Sequence, residues 1–489
     1  MSLRIVAIAD AHYAGGSLDA CGVRRTAIAD TLLLRAVQRA NRFIKPDLTV
    51  ILGDLVDDGS EESLKHLLPI IGRLENPYVV IPGNHDGDTE RFYSVLPRPA
   101  DTMDINGVRV VTFVDAEEPG YNARRSKEDI ARMDAARAGH DGPIVSLQHV
   151  PLLPPNASAS PYGYANAAEV WSAFERNDFT LSISGHWHAG DDLVSRGAGK
   201  AIVVPALCEA PFAFTEIVID GDSVETIRHE LSLPEGLDLC DCHVHTPFAY
   251  CSENMNAPLT LKIAKEFRLA SLCFTEHSGQ LYYDRETFWG ARFLDDGLDY
   301  SEGRQERMAD YLAYAGPCCP PAYLGLEIDC DNAGNPVVRK EDWDRIQIKI
   351  GSMHWLQELK RPEPDLIVAA EEMLGRMPQF LSSGIQVLAH PLRVFRKWPE
   401  ETPKFLVERM MPILREHGVA AEINFHVQET FPEFLNMCVE NGVKVVFGSD
   451  SHNLFEIGEF YPHLELVKRC GYSYSDLPEM MADIRPVVK

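Results

Sequence analysis

Short apolar segments that end in histidine or carboxylate residues recur along the whole sequence, and this pattern most constrains the fold. In the first half the apolar runs fall at residues 3–9, 48–52, 78–81, 144–147 and 179–183. Stretches of helical character, such as residues 27–43 and 127–138, separate them. Alternating strands and helices predict an α/β fold, in which polar side chains at the carboxyl ends of parallel strands gather at one edge.

The second half repeats this alternation after a boundary at residues 232–238, which contain Leu-Pro-Glu-Gly. Its apolar runs fall at residues 271–275, 322–328, 346–350, 385–388, 420–423 and 444–447. A long series of strands separated by helices predicts a parallel barrel. Eleven of the 17 histidines follow predicted strand ends: residues 12, 85, 149, 186, 188, 243, 245, 277, 354, 390 and 452. We therefore predict two domains, residues 1–231 and 237–489, each with its own site.

The composition excludes several classes of protein. The 489 residues are 45% hydrophobic, and no run approaches the ~18 apolar residues of a membrane span. The net charge is −27 and is evenly spread along the chain. Residues 1–235 contain 21 basic and 34 acidic residues, and the remainder contains 25 basic and 39 acidic residues. Nucleic-acid backbones require a basic surface, so we expect no nucleic-acid partner. An anionic substrate would need a strong local positive source, such as metal ions.

The N-terminus and the cysteines indicate a cytoplasmic protein. The opening sequence MSLRIVAIADAH is interrupted by a charge at Asp10 and is typical of a first strand, not of a signal peptide. The 11 cysteines are odd in number and form no C-x-x-C pair, which favours reduced thiols in a reducing compartment. No feature of the sequence indicates an oligomeric state.

The first half carries an ordered set of carboxylate, imidazole and amide side chains. The motifs are Asp10-Ala-His12, Gly53-Asp54, Gly83-Asn84-His85-Asp86, His149 and Gly185-His186-Trp-His188. Such ligands suit Mn, Fe or Zn. Successive side chains of an extended segment lie on opposite faces, so Asp10 and His12, two positions apart, are expected on the same face. One carboxylate can bridge two ions, and two ions about 3.5–4 Å apart can clamp a phosphoryl group.

This ordered set resembles the calcineurin-like metallophosphoesterase family over about residues 1–230. The resemblance implies a metallophosphoesterase α/β sandwich that binds two divalent ions (Mn, Fe or Zn). The ligands it implies are Asp10, His12 and His188 for one ion, Asn84, His149 and His186 for the other, and Asp54 as the bridge. It further implies that His85 protonates the leaving oxygen and that Asp86 orients His85. Asp57 is expected either to orient a ligand or to fix a loop and not to bind metal itself, and the off-motif histidines 66, 140 and 229 are expected at the surface.

The second half carries a second set of histidines and carboxylates. The motifs are Asp241-Cys-His243-Val-His245-Thr-Pro-Phe, Thr-Glu276-His277-Ser, Gly-Leu-Glu327-Ile-Asp329, Gly-Ser-Met-His354, Ala-His390-Pro and Gly-Ser-Asp450-Ser-His452. The number of these side chains exceeds what two ions need, so a cluster of three is consistent with the count. Glu276 is a candidate to orient a ligand histidine. The histidines 417, 426 and 463 match no motif and are expected to have structural roles.

This set resembles the PHP (polymerase and histidinol phosphatase) superfamily, nearest its histidinol-phosphate phosphatases, over about residues 237–489. The resemblance implies a distorted (β/α)7 PHP barrel that binds two or three ions (Zn, Fe or Mn). The implied ligands are His243, His245, Glu327 and Asp450 for the first ion, His354 and His390 with bridging Glu327 for the second, and His277, His452 and Cys251 for the third.

Two departures from that family bear on the second site. Cys251 stands where histidine is usual, and either its thiolate is a ligand, which favours zinc or iron, or it is a passive thiol. After His390 the sequence reads Pro-Leu-Arg393 in place of the usual Phe-Asp or Leu-Asp. The Arg393 guanidinium is a candidate to bind substrate phosphate, whereas Arg396 and Lys397 are equally well explained as a solvated helix start.

Taken together, the two halves predict a bifunctional metal-dependent phosphoesterase. The first site would cleave a small phosphodiester, for instance a cyclic nucleotide or a glycerophosphodiester. The second would remove phosphate from a monoester, for instance the product of the first. Two alternatives stand beside this: a nuclease or nucleic-acid processing enzyme, which the even acidity disfavours, and a protein in which one domain is catalytic and the other a sensing or scaffolding module.

Overall fold

The computed structural model describes residues 2–427 and 430–486. Its chain divides into two units, Met1–Ser232 and Leu233–Lys489. Both units combine β-strands with α-helices, and the predicted α/β fold class is confirmed. Within the described residues, no helix is both long enough and apolar enough to cross a membrane.

The N-terminal unit contains 13 strands and five α-helices. The strands are β1 Leu3–Ile8, β2 Leu48–Leu52, β3 Tyr78–Ile81, β4 Thr102–Ile105, β5 Val108–Thr112, β6 Ala116–Glu118, β7 Asn122–Arg124, β8 Ile144–Leu147, β9 Leu181–Ser184, β10 Asp191–Arg196, β11 Gly199–Val203, β12 Ala213–Asp220 and β13 Ser223–Glu230. The helices are α1 Ala29–Arg39, α2 Glu61–Ile71, α3 Thr89–Val95, α4 Lys127–Ala135 and α5 Ala167–Arg176.

Two sheets pack face to face to form the core of this unit. One sheet has the order β13-β12-β1-β2-β3 and the other has the order β10-β11-β9-β8-β5-β4. Side chains at alternate positions, such as Ile5 and Ala7 of β1, pack in one buried cluster with Val145 and Leu181 of the other sheet. Apolar residues of α4 and α5 pack with Val111 at the end of β5. This is the predicted α/β sandwich.

Within the described residues, the C-terminal unit has seven parallel strands and ten α-helices. The strands are β14 Cys240–Val244, β15 Ser271–His277, β16 Tyr323–Asp329, β17 Ile348–Ser352, β18 Val387–Leu388, β19 Ala420–Asn424 and β20 Val445–Gly448. The helices are α6 Ala257–Glu266, α7 Ser278–Tyr282, α8 Arg285–Trp289, α9 Met308–Ala315, α10 Lys340–Trp343, α11 Leu366–Ser382, α12 Lys404–His417, α13 Pro432–Glu440, α14 Tyr461–Arg469 and α15 Leu477–Met480.

These seven strands pair in sequence order and curve into a nearly closed barrel. The first and last strands approach each other just beyond their ends, where Asp450 N donates to His243 O (2.8 Å) and His245 N donates to Ser451 O (3.1 Å). The strand–helix alternation of the sequence therefore yields a seven-stranded (β/α) barrel, as predicted.

The backbone turns sharply where each predicted site begins. Several non-glycine residues just past strand ends have positive φ: Asp10 (56°), His12 (51°), Asp54 (50°), His186 (67°), His390 (29°) and Asp450 (56°). A positive φ costs such residues free energy, of order 1–3 kcal/mol each, and is retained where the surrounding structure fixes it. The strained positions coincide with the predicted ligands.

Candidate metal centres

In the N-terminal unit the first predicted ligand set comes together from the ends of two strands. Asp10 and His12 follow β1, and His188 follows β9. His12 Nε2 lies 3.1 Å from His188 Nε2. The Asp10 Oδ1 atom is 4.0 Å from His12 Nε2 and 3.7 Å from His188 Nε2. Three ligand atoms thus surround one point.

The second predicted set lies beside the first, and Asp54 stands between them. His149 Nε2 is 3.1 Å from Asn84 Oδ1 and 3.0 Å from His186 Nδ1. The Asp54 Oδ2 atom is 3.4 Å from His149 Nε2 and 3.6 Å from His12 Nε2. A single carboxylate oxygen therefore reaches both sets, as a bridging ligand requires.

Each of these histidines is oriented through its other ring nitrogen. The four contacts are His12 Nδ1 with Asp57 Oδ1 (3.0 Å), His149 Nδ1 with Leu52 O (2.7 Å), His186 Nε2 with Tyr121 O (2.9 Å) and His188 Nδ1 with Glu209 Oε1 (2.6 Å). An oxygen acceptor at one nitrogen fixes the tautomer and leaves the other nitrogen unprotonated and able to bind a metal. The four unprotonated nitrogens all face the centre.

The electrostatics of this cluster call for a cation. Burial raises the pKa of Asp10 to about 8. Burial works against ionisation of His149 as well, but the Asp54 carboxylate outweighs it and raises the pKa of His149 to about 10. Burial lowers the pKa of His186 to about 4. A divalent ion bound here would hold the carboxylates ionised and each imidazole deprotonated on the nitrogen that faces it, which removes the conflict between these groups.

The predicted role of Asp86 is corrected by the structure. Its carboxylate accepts from the backbone amides of Val56 (3.0 Å) and Gly83 (2.8 Å), which fixes the two loops around the centre. Asp57 is the residue near the His85 ring, with its backbone oxygen 3.3 Å and its Oδ1 3.4 Å from His85 Nδ1. Among the described residues Asp86 forms no hydrogen bond or ion pair with the His85 ring, and the contact predicted for Asp86 is made by Asp57.

The C-terminal unit brings its predicted ligands together around Glu327, at the end of β16. Glu327 Oε1 lies 3.1 Å from His354 Nε2 and 2.8 Å from His390 Nε2. Its Oε2 atom lies 3.4 Å from His243 Nε2, 3.6 Å from His245 Nε2 and 2.5 Å from His277 Nδ1. One carboxylate therefore lies close to five histidines from four segments of the chain, which is the arrangement expected of a bridging ligand.

Asp450 contributes a second buried carboxylate to this centre. Its Oδ1 atom is 3.5 Å from His243 Nε2, 3.0 Å from His245 Nε2 and 3.7 Å from His452 Nδ1. The His452 ring packs on that of His245, with centroids 4.2 Å apart. Burial acts to raise the pKa of Asp450, but the neighbouring positive groups, Arg393 first, hold it well below its usual value.

Carboxylates outside the centre orient its histidines. The contacts are His243 Nδ1 with Glu422 Oε1 (2.9 Å), His245 Nδ1 with Glu276 Oε1 (3.2 Å) and His354 Nδ1 with Asp329 Oδ1 (2.7 Å). Within the described residues, four buried atoms of the centre form no hydrogen bond of normal geometry, although each lies at ion-pair distance from another charged or ionisable side chain: His243 Nε2, His277 Nδ1, Glu327 Oε2 and Asp450 Oδ2. Buried polar atoms in native proteins are nearly always satisfied, so the donor set fits metal ions that they would coordinate.

The two departures from the family pattern are both located at this centre. Cys251 Sγ lies 3.9 Å from His277 Nε2, and burial raises the pKa of its thiol to about 12. Arg393 forms an ion pair with Asp450 and donates from Nη2 to Asn424 Oδ1 (2.7 Å). Its Nε atom is buried without a hydrogen-bond partner among the described residues. Arg393 also lines a cavity with His390 and Glu422.

Several residues of the two centres were not predicted from the sequence. Glu209 and Glu422 carried no motif, although each follows or ends an apolar strand. His426, expected to be structural, stacks on His452 with ring centroids 4.9 Å apart. His229 was expected at the surface, and this is wrong: its side chain is buried and bonded to Glu216 (2.8 Å). Alternation along β13 turns His229 inward.

Groups of candidate ligand atoms within 4.8 Å of one another occur in both units. Among them are Asp54, His149 and His186 in the first unit and His245, His277 and His452 in the second. The predicted ligands supply imidazole, carboxylate and amide donors with one thiol, and such sets suit divalent transition metals.

Comparison with known proteins assigns the first of these centres to a class. The family model described as calcineurin-like phosphoesterase matches residues 3–190. The chain is 27% identical over 150 residues to a probable cyclic nucleotide phosphodiesterase of Synechococcus, which covers 29% of this chain and 58% of that protein. It is 28% identical over 158 residues to a glycerophosphodiester phosphodiesterase of Enterobacter lignolyticus. The matched residues cover 29% of this chain and 56% of that protein. The chain thus spans just over half the length of these two relatives.

A third relative is a probable histidinol-phosphatase of Deinococcus radiodurans. It is 25% identical over 246 residues, which cover 45% of this chain and 88% of that protein. Among solved structures, a dimetal phosphatase from Danio rerio matches 47% of this chain and 98% of its own at 17% identity, with a TM-score of 0.37. The family match over residues 3–190 shows that the N-terminal unit contains a calcineurin-like metallophosphoesterase domain. Together with the phosphatase and phosphodiesterase relatives, it shows that the protein is a metal-dependent phosphoric ester hydrolase.

Proposed function

We propose that the protein is a bifunctional phosphoesterase, in which the N-terminal unit hydrolyses a small phosphodiester and the C-terminal unit, a PHP-type barrel, hydrolyses a phosphomonoester. The observation that supports it is that each unit has its own set of convergent ligand atoms, bridged by Asp54 in one and by Glu327 in the other. The two phosphodiesterase relatives and the histidinol-phosphatase relative suggest these substrate classes.

The N-terminal residues have distinct roles in this proposal. Asp10, His12 and His188 would hold one ion, Asn84, His149 and His186 the other, and Asp54 both. Divalent ions in such sites polarise phosphoryl oxygens and make water a better nucleophile at neutral pH. His85 turns Nδ1 toward Asp57, so Nε2 is the nitrogen that would deliver a proton to the departing alkoxide oxygen. Asp86 keeps the surrounding loops in place through two backbone amides.

In the C-terminal unit, Arg393 would bind a phosphate oxygen of the monoester. Its guanidinium sits beside Asp450 and is mostly buried, with 12% of its side chain exposed. A guanidinium binds the equatorial oxygens of a phosphoryl group through paired hydrogen bonds. We propose His243, His245, Glu327, Asp450, His354 and His390 as ligands of two ions.

We further propose that Cys251, His277 and His452 complete a third metal site. The Cys251 thiol is protonated at neutral pH because burial raises its pKa, and a bound cation would deprotonate it. In the full chain, Cys251→Ser is expected to lose about one equivalent of metal while the other ions are retained, as measured by elemental analysis. An unchanged metal content would contradict this site.

The experiment that tests the bifunctional proposal uses full-length single-site variants and bis(4-nitrophenyl) phosphate. The wild type is expected to release two 4-nitrophenolates and inorganic phosphate from each diester. Glu327→Gln is expected to stop after one 4-nitrophenolate and to accumulate the monoester. Asp54→Asn is expected to lose the first step by about a hundredfold or more but to hydrolyse 4-nitrophenyl phosphate normally. Cyclic nucleotides and glycerophosphodiesters then serve as natural candidate substrates.

Matched variants of exposed acids, Asp222→Asn and Glu408→Gln, serve as controls because neither residue lies near a centre. If Glu327→Gln releases phosphate from the diester as fast as the wild type, the second activity does not reside in the C-terminal unit. If Asp54→Asn leaves diester cleavage intact, the phosphodiesterase activity does not reside in the N-terminal unit.

A further inference from the structure

A cationic side chain at the N-terminal cavity is used by none of the roles assigned above. Arg24 lines an open cavity of about 440 Å³ together with His85, His188 and Trp187. Of the described side chains that line this cavity, Arg24 is the one Lys or Arg. A space of this size accommodates a small organic substituent in addition to a phosphoryl group.

The backbone places Arg24 at the rim. Arg25 N donates to Cys208 O (2.8 Å), which ties this loop to the segment after β11. The Arg24 Nη1 atom donates to Asp57 Oδ1 (3.0 Å) and lies 3.4 Å from His12 Nδ1. Since His12 Nε2 faces the other predicted metal ligands, the guanidinium stands on the side of the imidazole that is turned away from them.

Part of the Arg24 guanidinium is available to a ligand. Both of its contacts use Nη1, and within the described residues Nη2 and Nε form no hydrogen bond or ion pair. Its side chain is 37% exposed. The edge formed by Nη2 and Nε can donate two parallel hydrogen bonds to a carboxylate or a phosphate.

Apart from His85 and the predicted metal ligands Asp54, Asn84, His186 and His188, the rest of the cavity wall is uncharged and largely aromatic. The Tyr162 ring meets the His186 ring edge to face, with centroids 4.6 Å apart. Tyr121 lies in the hairpin of β6 and β7, with 57% of its surface exposed. These rings offer contact to an organic group and no charge, so the charge preference of the rim depends on Arg24 and on its partner Asp57.

We propose that Arg24 forms a subsite for a second anionic group of the substrate. The N-terminal site would then favour phosphodiesters in which one alcohol carries a carboxylate or a further phosphate. This inference rests on the proposed phosphodiesterase activity of the N-terminal unit. It adds a chemical class of substrate to that activity, namely a diester with a negative charge beyond that of the scissile phosphate.

The test compares two diesters that release the same 4-nitrophenolate. They are bis(4-nitrophenyl) phosphate and 4-nitrophenyl 4-carboxyphenyl phosphate, whose carboxylate has nearly the size and shape of a nitro group. After correction for the two equivalent leaving groups of the first, the wild type is expected to favour the carboxylate diester in kcat/KM by about tenfold. Arg24→Met is expected to abolish that preference and Arg24→Lys to keep part of it. Arg25→Met is the matched control, because Arg25 does not line the cavity, and it is expected to keep the full preference.

Binding supplies a second measurement that does not depend on turnover. By calorimetry on the metal-loaded full chain, Arg24→Met is expected to weaken 4-phosphonobenzoate about tenfold more than phenylphosphonate. Equal losses for both ligands, or an unchanged preference between the two diesters in Arg24→Met, would overturn the subsite. If the wild type cleaves neither diester, the proposed function fails, and the binding comparison still decides the subsite.

Discussion

Most ligand histidines are oriented by an acceptor from another segment of the chain. Glu422 is separated from His243 by 179 positions, and Glu209 is separated from His188 by 21. The ligands themselves were predictable because a polar residue that directly follows an apolar strand stands out. Glu209 and Glu422 were not predictable, because only the curvature of the sheets brings separate strand ends into contact. Three other orienting carboxylates stand in or next to a ligand motif, where the sequence draws attention to them: Asp57, Glu276 and Asp329.

The Glu422 carboxylate is expected to control metal affinity in the C-terminal centre. It accepts from His243 Nδ1 (2.9 Å), from the backbone amide of His390 (2.6 Å) and from Asn424 Nδ2 (3.0 Å). Glu422→Gln is expected to weaken metal binding about 10–100-fold, because a neutral amide no longer holds the imidazole in its basic tautomer. Metal competition with a chelator measures the effect, and Glu408→Gln is the exposed control. Equal metal affinities in the two variants would contradict this role.

The buried pair of Glu216 and His229 predicts a pH dependence of stability. The hydrogen bond from His229 lowers the pKa of Glu216 below its ordinary 4.5. A carboxyl group with a lowered folded-state pKa stabilises the fold above its unfolded-state value and loses this contribution as pH falls through the folded-state pKa. At pH 7 the free energy of unfolding of Glu216→Gln is therefore expected to be about 1 kcal/mol lower than that of the wild type, and its unfolding temperature is lower accordingly.

The two proteins are expected to converge as the pH falls below 4.5 and Glu216 becomes protonated in the wild type. Thermal unfolding of the full chain, followed from pH 7 to pH 3, measures this difference. His66→Gln is a suitable control, since this histidine pairs with Asp30 at the surface. A difference that stays constant over the whole pH range would show that packing, and not ionisation, explains the effect.

At the scale of secondary structure, buried strands were easier to predict than exposed ones. The buried strands β2, β3 and β8 have the predicted bounds. The strands β4 and β10 were missed because their side chains are partly exposed and their sequences lack a continuous apolar run. The strand β5 was missed although it is mostly buried, because Arg109 interrupts its apolar run. The turn at Asn106-Gly107, where both residues have positive φ, was the available signal for the hairpin of β4 and β5.

The end of β20 is expected to tolerate glycine alone. A Cβ atom at Gly448 would overlap Glu422 Oε1 and lie 2.8 Å from His243 Cβ. Gly448→Ala is therefore expected to displace the orienting carboxylate and to lower both metal content and thermal stability. Gly375→Ala is the matched control, because Gly375 lies in α11 with open space around its Cα, and alanine there is expected to stabilise the helix by up to about 1 kcal/mol.

Elemental analysis and thermal unfolding on the same samples distinguish a loss of bound metal from a loss of thermal stability. If Gly448→Ala binds the full metal complement, the close approach of β20 and β19 is not needed to build the centre.

At the scale of the whole chain, the fold class of both units could be predicted because the strand–helix alternation is regular and the ligand motifs follow the strands. The loops that surround the centres could not be predicted from the sequence. Residues 116–125 and 151–165 match no motif, yet they supply Tyr121 and Tyr162 beside His186. The rim residue Arg24 comes from a loop whose path depends on a backbone contact with Cys208. Loop contacts of this kind depend on tertiary structure, which local sequence patterns do not encode.

The net charge of −27 predicts how salt affects catalysis. Bound divalent ions give each centre local positive charge, but the acidic surface repels an approaching anion over distances comparable to the Debye length, which is about 30 Å at 0.01 M salt and about 8 Å at 0.15 M. Raising the salt over this range is expected to increase kcat/KM for dianionic 4-nitrophenyl phosphate about twofold or more, and for a monoanionic diester by less. Potassium chloride and potassium acetate series separate screening from competition by the anion. A fall of kcat/KM in both salts would show that the positive field of the centres outweighs the acidic surface at long range.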